Sequence, residues 1–305
     1  VEAHQGNSKD VAIYGQEATP TTYKLAKMNL AIRGITADLG IEAADTFAKD
    51  QHPDLKADYI LANPPFNYAD WRTKDELVED SRWSGYGVPP SSNANYAWIL
   101  HMISKLSQNG VAGFLLANGA LGDPDTKSIR KNLLENDLVE AVITLPRDMF
   151  YSTDISVTLW IVNRNKKARI SKASGRKVSY RDRTGEVLFL DLRRRGVEVD
   201  KSYIELTEIQ IAEITDGFRT WRGEHTDRSH QNIPEYSYSA NLNEIRAKDY
   251  SLIPSKYVEF VDSDLKSDFD KEMKSLRGDL AAVLSTEADS HHKLIEAFRG
   301  LGYEL

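Results

Sequence analysis

The sequence contains no cysteine. Disulfides and thiolate metal sites are therefore excluded, no metal site is expected, and a reducing cytoplasm is the predicted setting. No apolar run approaches the roughly 20 residues that a membrane-spanning helix requires, so no membrane partner is expected. The opening Val-Glu-Ala-His-Gln-Gly-Asn-Ser-Lys-Asp is not a signal peptide and reads as the end of a helix begun upstream. Positive charge is in deficit, with 39 Lys and Arg against 46 Asp and Glu and a net charge of −7. A protein that grips nucleic acid alone usually shows a basic balance or a basic face. If this chain acts on DNA, a partner is expected to supply much of the hold. A Gly-x-Gly-x-x-Gly loop and a hydride-handling histidine are both missing, which argues against a nicotinamide-dependent dehydrogenase.

What is present suffices for a sizeable core. Of 305 residues 41% are hydrophobic, enough for one large α/β domain with extensions or for two small domains. Residues 11–14 are a short strand candidate. Thr19 and Pro20 open a helix as N-cap and first-turn proline; Leu25, Met28 and Ile32 form its expected buried stripe, and Gly34 stops it. Residues 58–62 read as a strand, 93–108 as a helix closed by Asn109-Gly110, and 111–117 as a strand buried on both faces. A helix is expected from Asp123-Pro124, then strands over 139–145 and 155–162. Strand and helix in this alternation predict an α/β fold with a doubly wound, Rossmann-like parallel sheet.

The character changes after Asn163. Between Arg164 and Arg195 a dozen basic side chains face only Asp182, Glu186 and Asp191. This segment, whose first half, with Gly175 and several serines, has the composition of a mobile loop, reads either as a solvated hairpin or as a loop contacting phosphates. A strand follows over 186–192 and an amphipathic helix over 206–215. Further on, Leu265, Phe269, Met273, Leu276, Leu280 and Leu284 recur at steps of three and four, and Leu294, Ile295, Phe298 and Leu301 continue the pattern after an expected break near Ser290-His291-His292. That is a long amphipathic helix, suited either to a partner helix or to packing on its own domain. The expected organisation is a catalytic α/β part over 1–163, its basic extension over 164–250, and a helical tail over 251–305.

The chemistry concentrates at Asn63-Pro64-Pro65-Phe66, directly after the strand. Prolines cannot continue a central strand, so the chain must leave the sheet there. They also stiffen the backbone at the carboxyl end of the sheet, where α/β proteins bind ligands. An exocyclic amine of adenine is a poor nucleophile because its lone pair is delocalised into the ring. The Asn63 side-chain oxygen and the Pro64 carbonyl can accept its two protons, favouring a tetrahedral nitrogen, while Phe66 can stack on an extruded base. Positioning and polarisation would supply most of the rate, without a strong general base. An ordinary Pro-Pro turn is the plainer reading. Two acids lie upstream: Glu17 can accept ribose hydroxyls or simply sit near a helix N-terminus, and Asp45 can accept an adenine amine or close a turn.

These segments, taken together, resemble the modification subunit of type I restriction-modification systems, S-adenosylmethionine-dependent DNA adenine-N6 methyltransferases. The resemblance runs through Gly15-Gln-Glu17 to Met28-Asn-Leu30, Ala44-Asp-Thr46, Leu61-Ala-Asn-Pro-Pro-Phe66 and Asn95-Tyr-Ala-Trp98. It continues through Leu116-Ala-Asn-Gly119, Leu145-Pro146, Phe150-Tyr151 and Tyr250-Ser-Leu-Ile-Pro-Ser-Lys-Tyr257. It implies that Asn63, Pro64, Pro65 and Phe66 form the catalytic motif, that Glu17 and Asp45 bind S-adenosylmethionine, and that Phe150 and Tyr151 wall the pocket of a flipped adenine. From the residues alone, Phe150 and Tyr151 read equally well as core packing. The resemblance also implies DNA, a specificity subunit and a restriction subunit as partners, with the tail docking on helices of the specificity subunit.

The family's glycine-rich cofactor loop and the helical domain before it are expected ahead of Val1. The sequence is therefore expected to be the family's protein without its N-terminal part, its sheet incomplete and the strand near Val11 exposing an unpaired edge. Such a chain is expected to bind S-adenosylmethionine weakly or not at all. Asn-Pro-Pro-aromatic also serves enzymes that methylate a glutamine amide in protein or a guanine amine in RNA. A third reading is a non-catalytic module that assembles through residues 265–301.

Overall fold

The computed structural model describes residues 10–150, 155–173, 176–200, 203–225, 227–260 and 269–300. They fall into two compact units, 1–259 and 260–305. In chain order the first unit carries β1 (Ile13–Tyr14), α1 (Pro20–Ile32), β2 (Ala37–Asp38), β3 (Ala57–Ala62), α2 (Asn95–Lys105), β4 (Leu106–Ala117), α3 (Lys127–Glu135), β5 (Val139–Thr144) and β6 (Val157–Asn163). After these come β7 (Arg169–Ala173), β8 (Arg176–Tyr180), β9 (Glu186–Asp191), β10 (Val197–Asp200), β11 (Tyr203–Glu205), α4 (Glu208–Arg222), β12 (Ser237–Asn241) and α5 (Leu242–Ala247).

Six strands form the central sheet in the order β12-β9-β5-β6-β4-β3. The α/β, Rossmann-like class is as expected, but the sheet is mixed rather than parallel. β3 pairs in parallel with β4, and β5 with β9. β6 runs antiparallel to both β4 and β5, and β12 antiparallel to β9. β5 and β6 are neighbours in sequence and in the sheet, and such strands run antiparallel unless a crossover helix returns the chain to the same end.

Side chains alternate across the sheet with period two and feed two cores. Phe114, Leu116, Val142, Trp160, Val162 and Phe189 join α2 and α3 on one face. Ala141, Ile143, Leu188 and Leu190 meet Trp221, Ile214 and Phe218 of α4 on the other. The second face thins out over β3, where Tyr59 and Leu61 are 76% and 90% exposed. Hence over the middle of β4 Ala112, Phe114 and Leu116 are enclosed, while the alternate Val111, Gly113 and Leu115 are partly open, against the expectation of burial on both faces.

Helix α1 begins as predicted, the Thr19 side chain accepting from the Thr22 amide with Pro20 in the first turn. Its expected stripe is wrong: Leu25, Met28 and Ile32 are exposed. Tyr23, Ala26 and Leu30 turn inward instead, and the Tyr23 hydroxyl donates to the Gly40 and Ile41 carbonyls. Both sets satisfy helical spacing, so periodicity alone could not choose between two faces of one helix. Helix α3 starts at Lys127 rather than Asp123, because Asp123 closes a turn by accepting from the Asp125 amide. Helix α4 outruns its predicted end and stops at Gly223 (φ +76°), after burying Trp221. The strand near Val11 does have a neighbour, since Ile13 of β1 lies opposite Ala37 of β2 in a parallel pair.

The basic stretch contains the β7–β8 hairpin, with Gly175 outside the described residues. Many of its cations are engaged within the unit: Lys166 with Asp137, Arg181 with Glu186, Arg193 with Asp191, Arg194 with Glu235 and Arg195 with Glu213. The innermost pair is Arg183 with Glu140, at 3.0 Å and both fully buried. Asn163 Nδ2 donates to the other Glu140 oxygen at 2.9 Å.

In the second unit, α6 (Phe269–Gly300) is continuous. The expected break at Ser290-His291-His292 does not occur; His292 instead pairs with Glu296 one turn on. Met273, Leu276, Leu280, Leu284, Leu294 and Phe298 are exposed along it, and Leu265 and Leu301 lie outside the described residues. Among the described residues no helix is long and apolar enough to cross a membrane.

Breaking a buried ion pair leaves an uncompensated charge, whereas replacing both partners by apolar residues removes the desolvation cost along with the attraction. Arg183→Met should therefore cost about 3–5 kcal/mol of stability, and Arg183→Met/Glu140→Leu clearly less. Urea unfolding of the two variants checks this; equal losses would show that the pair is not coupled.

Candidate functional site

Strand β3 ends at Ala62, opposite Phe114 of β4. Asn63 follows at the carboxyl end of the sheet and is exposed; Pro64 is buried and Pro65 exposed. Neither proline offers an N–H, so the parallel ladder stops where they begin. Phe66 is half-buried and meets Phe150 edge-on, centroids 6.2 Å apart at 82°. The structure thus brings together Phe66 and Phe150, two aromatics 84 positions apart in sequence. Tyr151 lies outside the described residues.

After Phe66 the chain turns through Asn67, whose φ of +52° is in the left-handed region. The Asn67 amide donates to Asn95 Oδ1 at 3.1 Å, and Asn95 Nδ2 returns a bond to Asn67 Oδ1 at 2.9 Å. One residue further, the Tyr68 carbonyl accepts from the Ala94 amide at 2.9 Å. The loop leaving the motif is therefore tied to the first turn of α2.

Glu17 follows β1 and Asp45 follows β2, so each acid lies beyond the carboxyl end of one strand of a parallel pair. The Ala44 amide donates to the Glu17 carbonyl at 2.9 Å, which brings their backbones together. Gln16 reinforces the junction by donating to the Ala44 and Lys49 carbonyls. One Asp45 oxygen accepts from the Phe47 and Ala48 amides at 2.8 and 2.9 Å, so Asp45 does close a turn. That turn fixes the carboxylate on an exposed loop. The Asp45 carboxylate held this way, with Glu17 across the same backbone junction, is an acceptor open to the hydroxyls or amine of a ligand.

The Asp45 loop is anchored beneath by Phe47, buried between Trp71 and Trp98 at 4.6 and 4.3 Å. Arg82 donates to the Thr46 and Phe47 carbonyls and is braced by Asp80 at 2.6 Å. Its remaining bond goes to His101 Nδ1 at 3.2 Å. Burial, seconded by the Arg82 charge, holds His101 at about 4, so its ring is neutral. Asn95, Trp98 and His101 are successive contacts along α2. The motif loop and the acid loop rest on the same helix.

Asn67, Asn95, Arg82 and Gln16 escaped the sequence reading as support residues. An asparagine one residue beyond a Pro-Pro pair is a signal for a left-handed residue, because asparagine tolerates that conformation. Apart from Asp80 two positions back, nothing local marks Arg82, whose acceptors in the Asp45 loop lie 35 and 36 positions away.

The N-6 DNA Methylase family description matches residues 1–265. The chain is similar to the Type I restriction enzyme HindI methylase subunit of Haemophilus influenzae, 40% identical over 307 aligned positions, 100% of this chain and 65% of the relative. It is also similar to the Type I restriction enzyme MjaIX methylase subunit of Methanocaldococcus jannaschii, 34% identical across 96% of this chain and 51% of the relative. The chain therefore spans between about half and two-thirds of the length of these curated relatives. Among solved structures, the type I restriction-modification methyltransferase subunit from Streptococcus thermophilus matches with a TM-score of 0.67 at 29% identity, over 81% of this chain and 48% of that one.

The low His101 pKa carries a sign. Its folded value of about 4 lies below the usual 6.5, so folding favours the neutral ring. This contribution is complete above about pH 6.5 and is lost as pH falls toward 4. The melting temperature should fall more steeply across that window for the wild type than for His101→Gln. The comparison cancels the share of His230, which burial also lowers. Parallel calorimetric profiles would remove His101 from the acid sensitivity.

Proposed function

The chain belongs to the N-6 DNA methylase family, and from that premise we propose that it is the modification subunit of a type I restriction-modification system. On this reading it methylates adenine N6 in DNA at sites chosen by a partner. One observation carries the reading: Asn63-Pro-Pro-Phe66 stands at the carboxyl end of β3 with Phe150 set edge-on to Phe66.

The chemistry follows from those groups. An adenine turned out of the duplex stacks on Phe66, with Phe150 bounding the pocket. The Asn63 oxygen and the Pro64 carbonyl accept its two amine protons and hold the nitrogen lone pair toward the donor. Glu17 and Asp45 bind the cofactor's ribose and adenine. S-adenosylmethionine, when bound, would supply an electrophilic methyl group and leave as the neutral thioether, and the amine, held only by hydrogen bonds, would give up one proton to solvent. The protein's part is orientation and polarisation, so no strong base is required.

The acidic balance and the internally paired cations support a division of labour in which a specificity subunit provides sequence reading and much of the DNA hold. We assign residues 1–163 and 164–250 to the catalytic part and its extension, and 251–305 to assembly. The exposed apolar stripe of α6 supports docking on helices of the specificity subunit, with a restriction subunit joining the complex. The compartment on this reading is the cytoplasm, where the DNA is.

The test is transfer of label from S-adenosylmethionine to unmethylated DNA by the assembled methyltransferase. Label should appear in N6-methyladenine, and Asn63→Ala should lower kcat by about 100-fold or more, the scale of losing one group that acts in the transition state. Label in a protein glutamine or in RNA guanine instead of DNA would overturn the reading.

A further inference from the structure

Asn95, the first residue of α2, is 4% exposed and belongs to a three-asparagine set that closes on itself. Both ends of its carboxamide go to Asn67, Oδ1 accepting the backbone amide and Nδ2 donating to the side chain. Asn93 completes the set: its Nδ2 donates to the same Asn67 oxygen at 3.3 Å, and its Oδ1 accepts the Asn95 amide at 2.9 Å. The N-cap residue of α2, Ala94, offers no side-chain cap; Asn93 serves the first helical amide, and the Asn95 carboxamide is given to the loop.

The helix gives this clamp a rigid base. Ala94, Tyr96, Ala97, Ile99 and Leu100 are each at most 1% exposed in the core. Asn67, in turn, follows Phe66 directly and holds φ +52°, a conformation asparagine tolerates but does not prefer. The segment Asn63–Phe66 is thus fixed at both ends, by the β3 ladder before it and by Asn95 after it. A buried polar side chain that gives both ends of its carboxamide to one neighbouring loop is more than the packing of α2 requires.

We infer that Asn95 is a positioning residue for methyl transfer, holding Asn67 left-handed and thereby setting the direction in which Asn63 and Phe66 face the target base. This role rests on the function proposed above. Misplacing reacting groups by about 1 Å can cost on the order of 100-fold in rate.

The test compares four forms of the assembled methyltransferase: wild type, Asn95→Ala, Asn95→Ala/Asn67→Gly and Asn63→Ala. Each is measured for kcat on unmethylated DNA, for KM of S-adenosylmethionine, and for the fluorescence of 2-aminopurine at the target position. Asn95→Ala should lower kcat by about 100-fold and weaken the extruded-base fluorescence, with KM for the cofactor unchanged because Glu17 and Asp45 lie on other loops. Glycine takes φ +52° without support, so adding Asn67→Gly should restore most of the lost kcat. Unchanged kcat in Asn95→Ala, while Asn63→Ala is inactive, would overturn the positioning role and leave the proposed function standing. A loss that Asn67→Gly does not relieve would make Asn95 a structural residue only and equally overturn the role. A folded wild-type complex that transfers no methyl to DNA would fail the functional reading itself, visible without any variant, and the role with it.

Discussion

Tyr96, Ile99, Leu100 and Ile103 bury one side of α2 against the sheet, with Tyr96 edge-on to Trp160 of β6. On its other contacts the helix carries Asn95, Trp98 and His101. Asn95 holds the loop that leaves Asn63-Pro-Pro-Phe66; Trp98 packs on Phe47 under the Asp45 turn; His101 accepts from Arg82, which grips the same turn by its carbonyls. Two loops from different strands are therefore referenced to one rigid body. A transfer reaction between a bound cofactor and a base needs such a common frame, since neither partner reacts unless both are aligned.

A second constraint is the disposal of charge. The stretch richest in cations looks, as a sequence, like a surface for phosphates. In the fold, Lys166, Arg181, Arg183, Arg193, Arg194 and Arg195 meet acids drawn from β5, β9, α4 and the loops around them. Arg183 is the extreme case, enclosed with Glu140 and stacked near Trp221 and Tyr180. Exposed pairs of this kind contribute little to stability, and buried ones contribute chiefly by the cost of breaking them. Their effect here is to hold the β9–α4 region to the sheet, and to leave less free positive charge than the composition of the segment suggests.

Legibility in the sequence followed the range of the interaction. The strand before the Asn-Pro-Pro-Phe motif, the Thr19-Pro20 helix start and the strands at 139 and 186 were readable because each is set by neighbours within a few residues. The motif itself was readable because two prolines after an apolar strand have a single backbone consequence. The parallel sheet was misjudged because strand direction depends on which strands pair. The α1 stripe was misjudged because two faces had equal helical periodicity and only the tertiary fold chose Tyr23, Ala26 and Leu30. The break expected in α6 was misjudged because Ser-His-His weakens a helix without stopping it.

The sequence by itself determined that the chain is an α/β protein with a motif suited to polarising a planar amine at a strand end, and that no disulfide stabilises it. These follow from composition, local spacing and the absence of proline N–H groups, none of which needs a partner far along the chain. Only the tertiary structure decided that Phe150 faces Phe66, that the Glu17 carbonyl takes the amide of Ala44 beside Asp45, and that Asn95 supports the turn after the motif. Each of those joins residues about 27 to 84 positions apart, and contacts at that separation exist only once the chain has packed.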